Sequence, residues 1–345
     1  MTAELKSRAT ARVDVERWPL RSHFQTAAQT IDAVEVVAVH VEQLGQVGRG
    51  EAAGVYYLSE TATSIASQIQ SLQPLLERGV DRATLQTLLP PGGARNALDC
   101  AFWELESKLL KQPVWKLAGL DEPHPLQTLL TCGADSPENM ATQARSYVGA
   151  GAIKLKMTGE PIDAERVRAV RQERPEVLLT IDCNQGFTLP TFTQLLPTLI
   201  EMRVAHIEQP FPIEQDALLD HLDSPIPIIA DESVQSLEDI SKVANRFDVI
   251  NIKLDKSGGL TEALAMVRLA RRLGLATYVG NMFGTSLAMA PAFLVGQLCD
   301  IVELDGPLFM AADRAHRVRY KDGYIHCPPD VWGNSQADAE QGSCS

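Results

Sequence analysis

The chain is as informative in what it lacks as in what it carries. No run is apolar for long enough to cross a bilayer: the longest stretches, DAVEVVAVHV and AMAPAFLVGQL, are too short or too interrupted in this 345-residue sequence. The first 20 residues hold no apolar region of the signal-peptide kind, so the expectation is a cytoplasmic protein with no membrane partner. Basic charge is scarce, with 31 Lys and Arg against 44 Asp and Glu, a net charge of −13 that argues against nucleic acid as a partner. Cysteine is sparse too. Six are scattered (100, 132, 183, 299, 327 and 344) without a CxxC pair, which predicts reduced thiols rather than disulfides or zinc ligands. GxGxxG, GxxxxGK[ST], GxSxG and HExxH are all absent, removing the usual signatures of dinucleotide, nucleoside triphosphate, serine-hydrolase and zinc-protease chemistry.

What remains is a soluble-type composition, 45% hydrophobic and 22% charged, sufficient for one large domain and a smaller one. Residues 9–18 and 32–57 alternate in the manner of strands, and 61–110 turn helical, ending in ARNALDCAFWELESKLL. The polar, turn-rich LDEPHP (120–125) marks a boundary. The expected domains are an α+β cap over 1–120, a (β/α) barrel over 121–309, and a C-terminal segment over 310–345 that returns to the cap. That last segment holds a hairpin turning at Asp322-Gly323 and a disordered tail.

Eight β-branched runs fill the middle: LQTLLTC, AIKLKM, VLLTIDC, RVAHIEQ, IPIIADES, DVINIKL, LATYVGN and CDIVELD. Their last residues from Lys156 to Glu303 (Asp182, Glu208, Asp231, Lys253 and Asn281 between) are 26, 26, 23, 22, 28 and 22 residues apart, the length of a strand, a helix and two loops. Alternation sustained this long predicts a parallel barrel of α/β class. Barrel enzymes place chemistry at the C-terminal ends of the strands, and five successive strands here end in Lys, Asp, Glu, Asp and Lys. Taken singly, each is as easily a solvated loop residue. Together, Asp182, Glu208 and Asp231 can converge on one hard cation, and oxygen-only ligation suits Mg²⁺. Lys156 and Lys253 flank that cluster, so one can remove a proton from a carbon and the other return it on the opposite face. A carbon beside a carboxylate is a weak acid whose deprotonation gives a doubly charged enediolate, and a cation stabilises it. Lys154 shares the inward face with Lys156 and is expected to depress its pKa by like-charge pressure.

KLKM, DCNQG, IEQP, ADES and NIKLDKSGGL, in this order, resemble the muconate-lactonising subgroup of the enolase superfamily, over about Trp18 to Asp313. The resemblance implies a modified TIM barrel, (β/α)7β, with an N-terminal α+β capping domain. It also implies Mg²⁺ on Asp182, Glu208 and Asp231, an acid/base pair in Lys156 and Lys253, and Lys154 on the substrate carboxylate. Within the subgroup, Glu303-Leu-Asp305 is similar to the DxD motif with which dipeptide epimerases grip an ammonium group, though Glu303 is one methylene longer. Gly284 stands where many dipeptide epimerases carry Glu. The same resemblance puts Thr131 and Asn281 at the pocket wall. It has cap loops near 18–26 and 51–58 close over the substrate side chain, with Arg21 or Arg49 meeting a side-chain carboxylate.

The expected activity is therefore Mg²⁺-dependent dipeptide epimerisation. The alternatives are racemisation of an N-acyl amino acid such as N-acyl-glutamate, or a lyase or cycloisomerase reaction of the same superfamily. The partner is a small molecule, and a homo-oligomer is left open. His206 reads as a satisfied core or loop histidine, Glu303 and Asp305 have a salt bridge to a barrel-mouth cation as their plainer role, and Asp255 and Lys256 read as loop residues after the sixth strand.

Overall fold

The computed structural model describes residues 8–25 and 30–334; the expected tail at 335–345 lies outside them, as does Cys344. Three antiparallel strands open the chain, β1 (Thr10–Gln25), β2 (Thr30–Gln43) and β3 (Gln46–Ala53). Their Val and Ala positions pack on helices Ala62–Ser71 and Gly93–Leu110, forming a cap core of its own around Val37, Val39, Ile65 and Leu98. Thr61 starts the first helix by accepting from Ser64 N while the Ser64 hydroxyl accepts from Thr61 N, which satisfies two end donors. The second helix lies directly on β3 because Gly48 and Gly50 have no side chains: a Cβ at either would stand 2.0 Å from the Ala101 or Ala97 carbonyl oxygen.

The run LQTLLTC splits into β4 (Leu126–Gln127) and β5 (Leu130–Cys132). Strands β5 to β12 then form one parallel sheet in sequential order: β6 (Ala152–Lys156), β7 (Leu178–Asp182), β8 (Val204–Glu208), β9 (Ile228–Ala230), β10 (Val249–Ile252), β11 (Ala276–Val279) and β12 (Ile301–Val302). Helical crossovers join consecutive strands, giving (β/α)7β, with the fourth a 3-10 segment, Ile213–His221. Between β12 and β5 the seam is thin: Leu129 N donates to the Val302 carbonyl at 2.8 Å and Leu304 N to Thr128 Oγ1 at 2.9 Å.

Alternation sorts β6 into two faces. Ile153 and Leu155 join the core between sheet and helices, while Ala152 packs inside the sheet with Leu129, Ile229, Val249 and Tyr278. That interior cluster plugs the lower end, and Lys154 and Lys156 continue the same inward row toward the upper end. The C-terminal hairpin of β13 (Arg319–Lys321) and β14 (Tyr324–His326) pairs with β4, not with the cap sheet. The residues on either side of it touch the cap: Leu20 bridges Met310, and Trp332 Nε1 donates to the Arg49 carbonyl at 2.9 Å.

Among the described residues no helix is long and apolar enough to cross a membrane. Cys100, Cys132, Cys183, Cys299 and Cys327 are free thiols.

Candidate active site

The strand ends and the cap together enclose a cavity of about 450 Å³, lined by Lys154, Lys156, Asp231, Glu232, Lys253, Glu303 and Asp305 below and by Ile31, Val34, Tyr56 and Tyr57 above. Thr131 and Asn281 line it as well. Register explains the convergence: Lys156 is paired with Asp182, and Asp182 with Glu208, so three side chains leave neighbouring strands at one level.

The lysines and carboxylates interlock. Lys156 Nζ lies 2.6 Å from Asp182 Oδ2 and donates to Asn184 Oδ1 at 3.1 Å. Lys253 Nζ is 2.6 Å from Asp231 Oδ2. Lys154, with 1% of its side chain exposed, reaches Asp182 Oδ2 at 3.1 Å, Glu208 Oε2 at 2.8 Å and Glu303 Oε2 at 2.9 Å. Burial works to lower Lys154, yet Asp182, Glu208 and Glu303 carry it well above the usual lysine range. Burial likewise opposes the charge on Lys253, and Asp231 overrides it upward. Asp182 moves the other way: burial pushes it up, but Lys154 and Lys156 bring it down to about 2. Glu208, pressed by burial and by the Asp182 charge, rises to about 8 despite Lys154.

Among the described residues no three His, Cys, Asp or Glu side chains stand grouped to hold a metal ion as they are placed. The donor set nevertheless fits a divalent cation. Asp182, Glu208 and Asp231 are all buried carboxylates, and Glu208 Oε2 accepts no hydrogen bond, Lys154 lying near it out of alignment. A buried carboxyl oxygen without a hydrogen bond, set among other carboxyl groups, suits oxygen-only ligation.

Other groups that hold this cluster were not evident from the strand ends. Lys256, expected in a loop, is 1% exposed and donates to both the carbonyl and Oδ1 of Asp231, each at 2.5 Å. Asn251, two residues before Lys253 and so on its face, donates to Glu208 Oε1 at 2.9 Å; its position on that face was the available signal. Gln209 accepts from Asp231 N and Ser233 N, both at 3.1 Å, tying β8 to β9. Asn184 (φ 42), Gln185 (φ 65) and Gln209 (φ 36) adopt the left-handed backbone just past Asp182 and Glu208. That conformation costs non-glycine residues on the order of 1 kcal/mol each and is met where a site dictates the chain path.

The remaining candidates separate. Thr131 gives its N–H to Asp305 Oδ2 at 2.7 Å and its hydroxyl to Glu303 Oε1 at 2.9 Å. Asn281 bridges the two C-terminal loops, donating to the Glu303 carbonyl at 3.0 Å and accepting from Gly306 N at 2.9 Å. Arg21 is exposed, donates to the Met310 carbonyl at 2.8 Å and is not among the residues lining the cavity. Arg49 is engaged by buried Glu104, its Nε 2.9 Å from Oε2. His206 contacts Thr180 Oγ1 at 3.3 Å, and burial lowers its pKa.

A sheet of this topology, with a cap over an acid triad flanked by lysines, defines the class of enolase-like α-carbon acid/base enzymes. Residues 8–119 match the family model "Mandelate racemase / muconate lactonizing enzyme, N-terminal domain" and residues 139–333 match "Enolase C-terminal domain-like". The chain belongs to this family. It is 36% identical to the L-Ala-D/L-Glu epimerase of Escherichia coli (strain K12) over 92% of this chain and 99% of that one. It is 34% identical to an N-acetyl-D-glutamate racemase of Pseudoalteromonas sp over 80% of this chain and 88% of that one. An Agrobacterium tumefaciens enolase family member with homology to dipeptide epimerases, solved with sodium and L-Ala-L-Glu, superposes with a TM-score of 0.92 at 36% identity, covering 94% of this chain and 100% of that one. A dipeptide epimerase of Methylococcus capsulatus, solved with Mg and L-Arg-D-Lys, gives 0.86 at 26% identity over 93% and 97%.

Proposed function

We propose that this protein is a Mg²⁺-dependent epimerase that inverts the α-carbon of the C-terminal residue of a dipeptide. One observation carries the reading: Lys156 and Lys253 line one cavity from opposite flanks of a buried acid triad. A substrate carboxylate entering the closed end meets Lys154, which is buried and positively charged. The α-carbon then lies between Lys156 and Lys253, one taking the proton and the other delivering one to the opposite face. A divalent cation held by Asp182, Glu208 and Asp231 would stabilise the charge that develops on the substrate carboxylate and take up the carboxylate charge that holds Lys253 protonated. The cap wall of Ile31, Val34, Tyr56 and Tyr57 excludes water from the carbanion and meets the side chain.

The test is incubation of a dipeptide library, L-Ala-L-Glu included, with enzyme and Mg²⁺ in D₂O. The expected result is α-deuteration and inversion of the C-terminal residue; no deuteration of any member removes the dipeptide assignment. An N-acyl amino acid is the second reading, favoured because both oxygens of Glu303 already have partners within the protein. Exchange of N-acetyl-glutamate without exchange of any free-amine dipeptide selects it.

A further inference from the structure

Thr131 touches both acidic side chains of the eighth-strand motif but leaves them in different situations. Glu303 is 3% exposed and engaged throughout. Its Oε2 lies 2.9 Å from Lys154 Nζ, its Oε1 accepts the Thr131 hydroxyl at 2.9 Å, its N–H bonds the Val279 carbonyl at 2.9 Å and its carbonyl accepts from Asn281 at 3.0 Å. Asp305 is as deeply buried, at 3%, and accepts the Thr131 N–H through Oδ2 at 2.7 Å; both side chains form part of the cavity wall, and the difference between them is the ion pair of Glu303 with Lys154. Beside it the cavity is apolar: Met282, Phe283 and Phe309 line it, and the two rings meet edge to face at 5.5 Å. Gly306 N, bonded to Asn281 Oδ1 at 2.9 Å, fixes these loops against each other. A substrate nitrogen arriving there finds Asp305 beside an apolar wall, with Glu303 already paired to Lys154.

The length of Glu303 matters to this division. An aspartate on the same backbone would be shorter by one methylene, about 1.5 Å, and would lose Lys154 while still facing the nitrogen side. Lys154 in turn holds the ammonium that meets the substrate carboxylate in the reading above, on which this inference rests. We propose that Glu303 is a positioning residue for Lys154, clamped by Thr131, and takes no part in recognising the substrate nitrogen, which falls to Asp305.

L-alanyl-L-glutamate and N-propionyl-L-glutamate differ only in the ammonium group and form a matched pair. Both are assayed by α-deuterium exchange with full-length wild type, Glu303→Gln, Glu303→Asp and Asp305→Asn in the presence of Mg²⁺. If Glu303 acts through Lys154, Glu303→Gln lowers kcat about tenfold on both substrates alike, leaving the ratio of their kcat/KM values within about twofold of wild type. Glu303→Asp keeps the charge but not the reach, and shows the same loss of kcat. Asp305→Asn shifts the ratio about tenfold through KM. A ratio shifted by Glu303→Gln as far as by Asp305→Asn overturns the proposal, and so does wild-type kcat in Glu303→Asp.

Failure of wild type to exchange either compound would overturn a glutamate-type substrate for the epimerase reading instead. Calorimetric titration of the same pair then decides the division of labour without turnover: only Asp305→Asn should erase the difference between the two ligands, and loss of that difference in Glu303→Gln refutes it.

Discussion

Buried charge gathers in two regions of this molecule, and the contrast between them separates chemistry from architecture. At the seam between cap and barrel, nearly every charged atom is satisfied by fixed partners. Glu51 accepts from Thr285 N at 2.7 Å and from Arg314 Nη2 at 2.6 Å, and Arg314 reaches on to Glu16 at 2.8 Å. Glu104 takes the Arg49 N–H at 2.7 Å and its Nε at 2.9 Å; among the described residues Arg95 Nε is a seam atom buried without a hydrogen bond. At the barrel mouth the charges line a cavity, and Glu208 Oε2, Glu232 Oε2 and Tyr57 Oη are buried without hydrogen bonds. Burial alone is thus no sign of catalysis. Burial with unmet bonding capacity, facing a space a ligand can enter, is the better one.

The contrast breaks most visibly at the lysines. Lys156→Ala is expected to abolish isomerisation, lowering kcat by about 10³ or more, while one-faced deuterium exchange through Lys253 survives and the thermal midpoint barely moves. A midpoint that collapses with activity would place Lys156 among the structural charges. The converse holds at the seam. Arg49→Met leaves the buried Glu104 carboxylate short of its cation, which costs about 3 kcal/mol and lowers the midpoint by roughly 5 °C. Turnover by the folded enzyme should stay near wild type. A raised KM without loss of stability would instead return Arg49 to the substrate.

Removing the metal sharpens the same line. Mg²⁺ bound only by the native mouth stabilises the fold by about 2.7 kcal/mol at a hundredfold excess over its dissociation constant. Differential scanning calorimetry should show that shift in wild type, its reversal by a chelator, and its absence in Glu208→Gln. An undiminished Mg²⁺ shift in Glu208→Gln would mean that the cation binds elsewhere.

The barrel was legible because strand and helix repeat at an even interval, and the mouth was legible because function there occupies strand ends. Where either condition lapses, so does legibility. The fourth crossover, PIEQDALLDH, has little helical patterning and folds as a 3-10 segment, Ile213–His221. Lys256 returns to Asp231 from the turn after β10, and Gln209 reaches across from β8 to β9, so neither is marked by strand periodicity. Arg49 pairs with a residue 55 positions away on a helix, which no local pattern announces. Glu303 reads from the sequence as a pocket acid or as the partner of a barrel-mouth cation; that the cation is Lys154 depends on how β12 closes on β5 and β6, a property of the folded sheet.

The finest test of the comparison lies at Asp99, a seam carboxylate with 0% exposure. It accepts from Thr261 N at 2.9 Å, Thr261 Oγ1 at 2.6 Å and Gln86 Nε2 at 2.8 Å, with Arg82 and Arg95 as nearby charges. Burial still wins, pushing its pKa from 3.8 up to about 6. Between those values the native state holds a proton that the unfolded chain has released, so this residue's contribution to stability falls as pH rises through the window and is level above it. Asp99→Asn removes the titration. The destabilisation it causes should therefore be smaller at pH 7 than at pH 4, by on the order of 2 kcal/mol, read from urea unfolding of both proteins at each pH. The opposite trend would mean that the hydrogen bonds stabilise ionised Asp99 more than burial opposes it. Asp99 would then resemble Asp182 at the mouth, where cationic neighbours overcome burial.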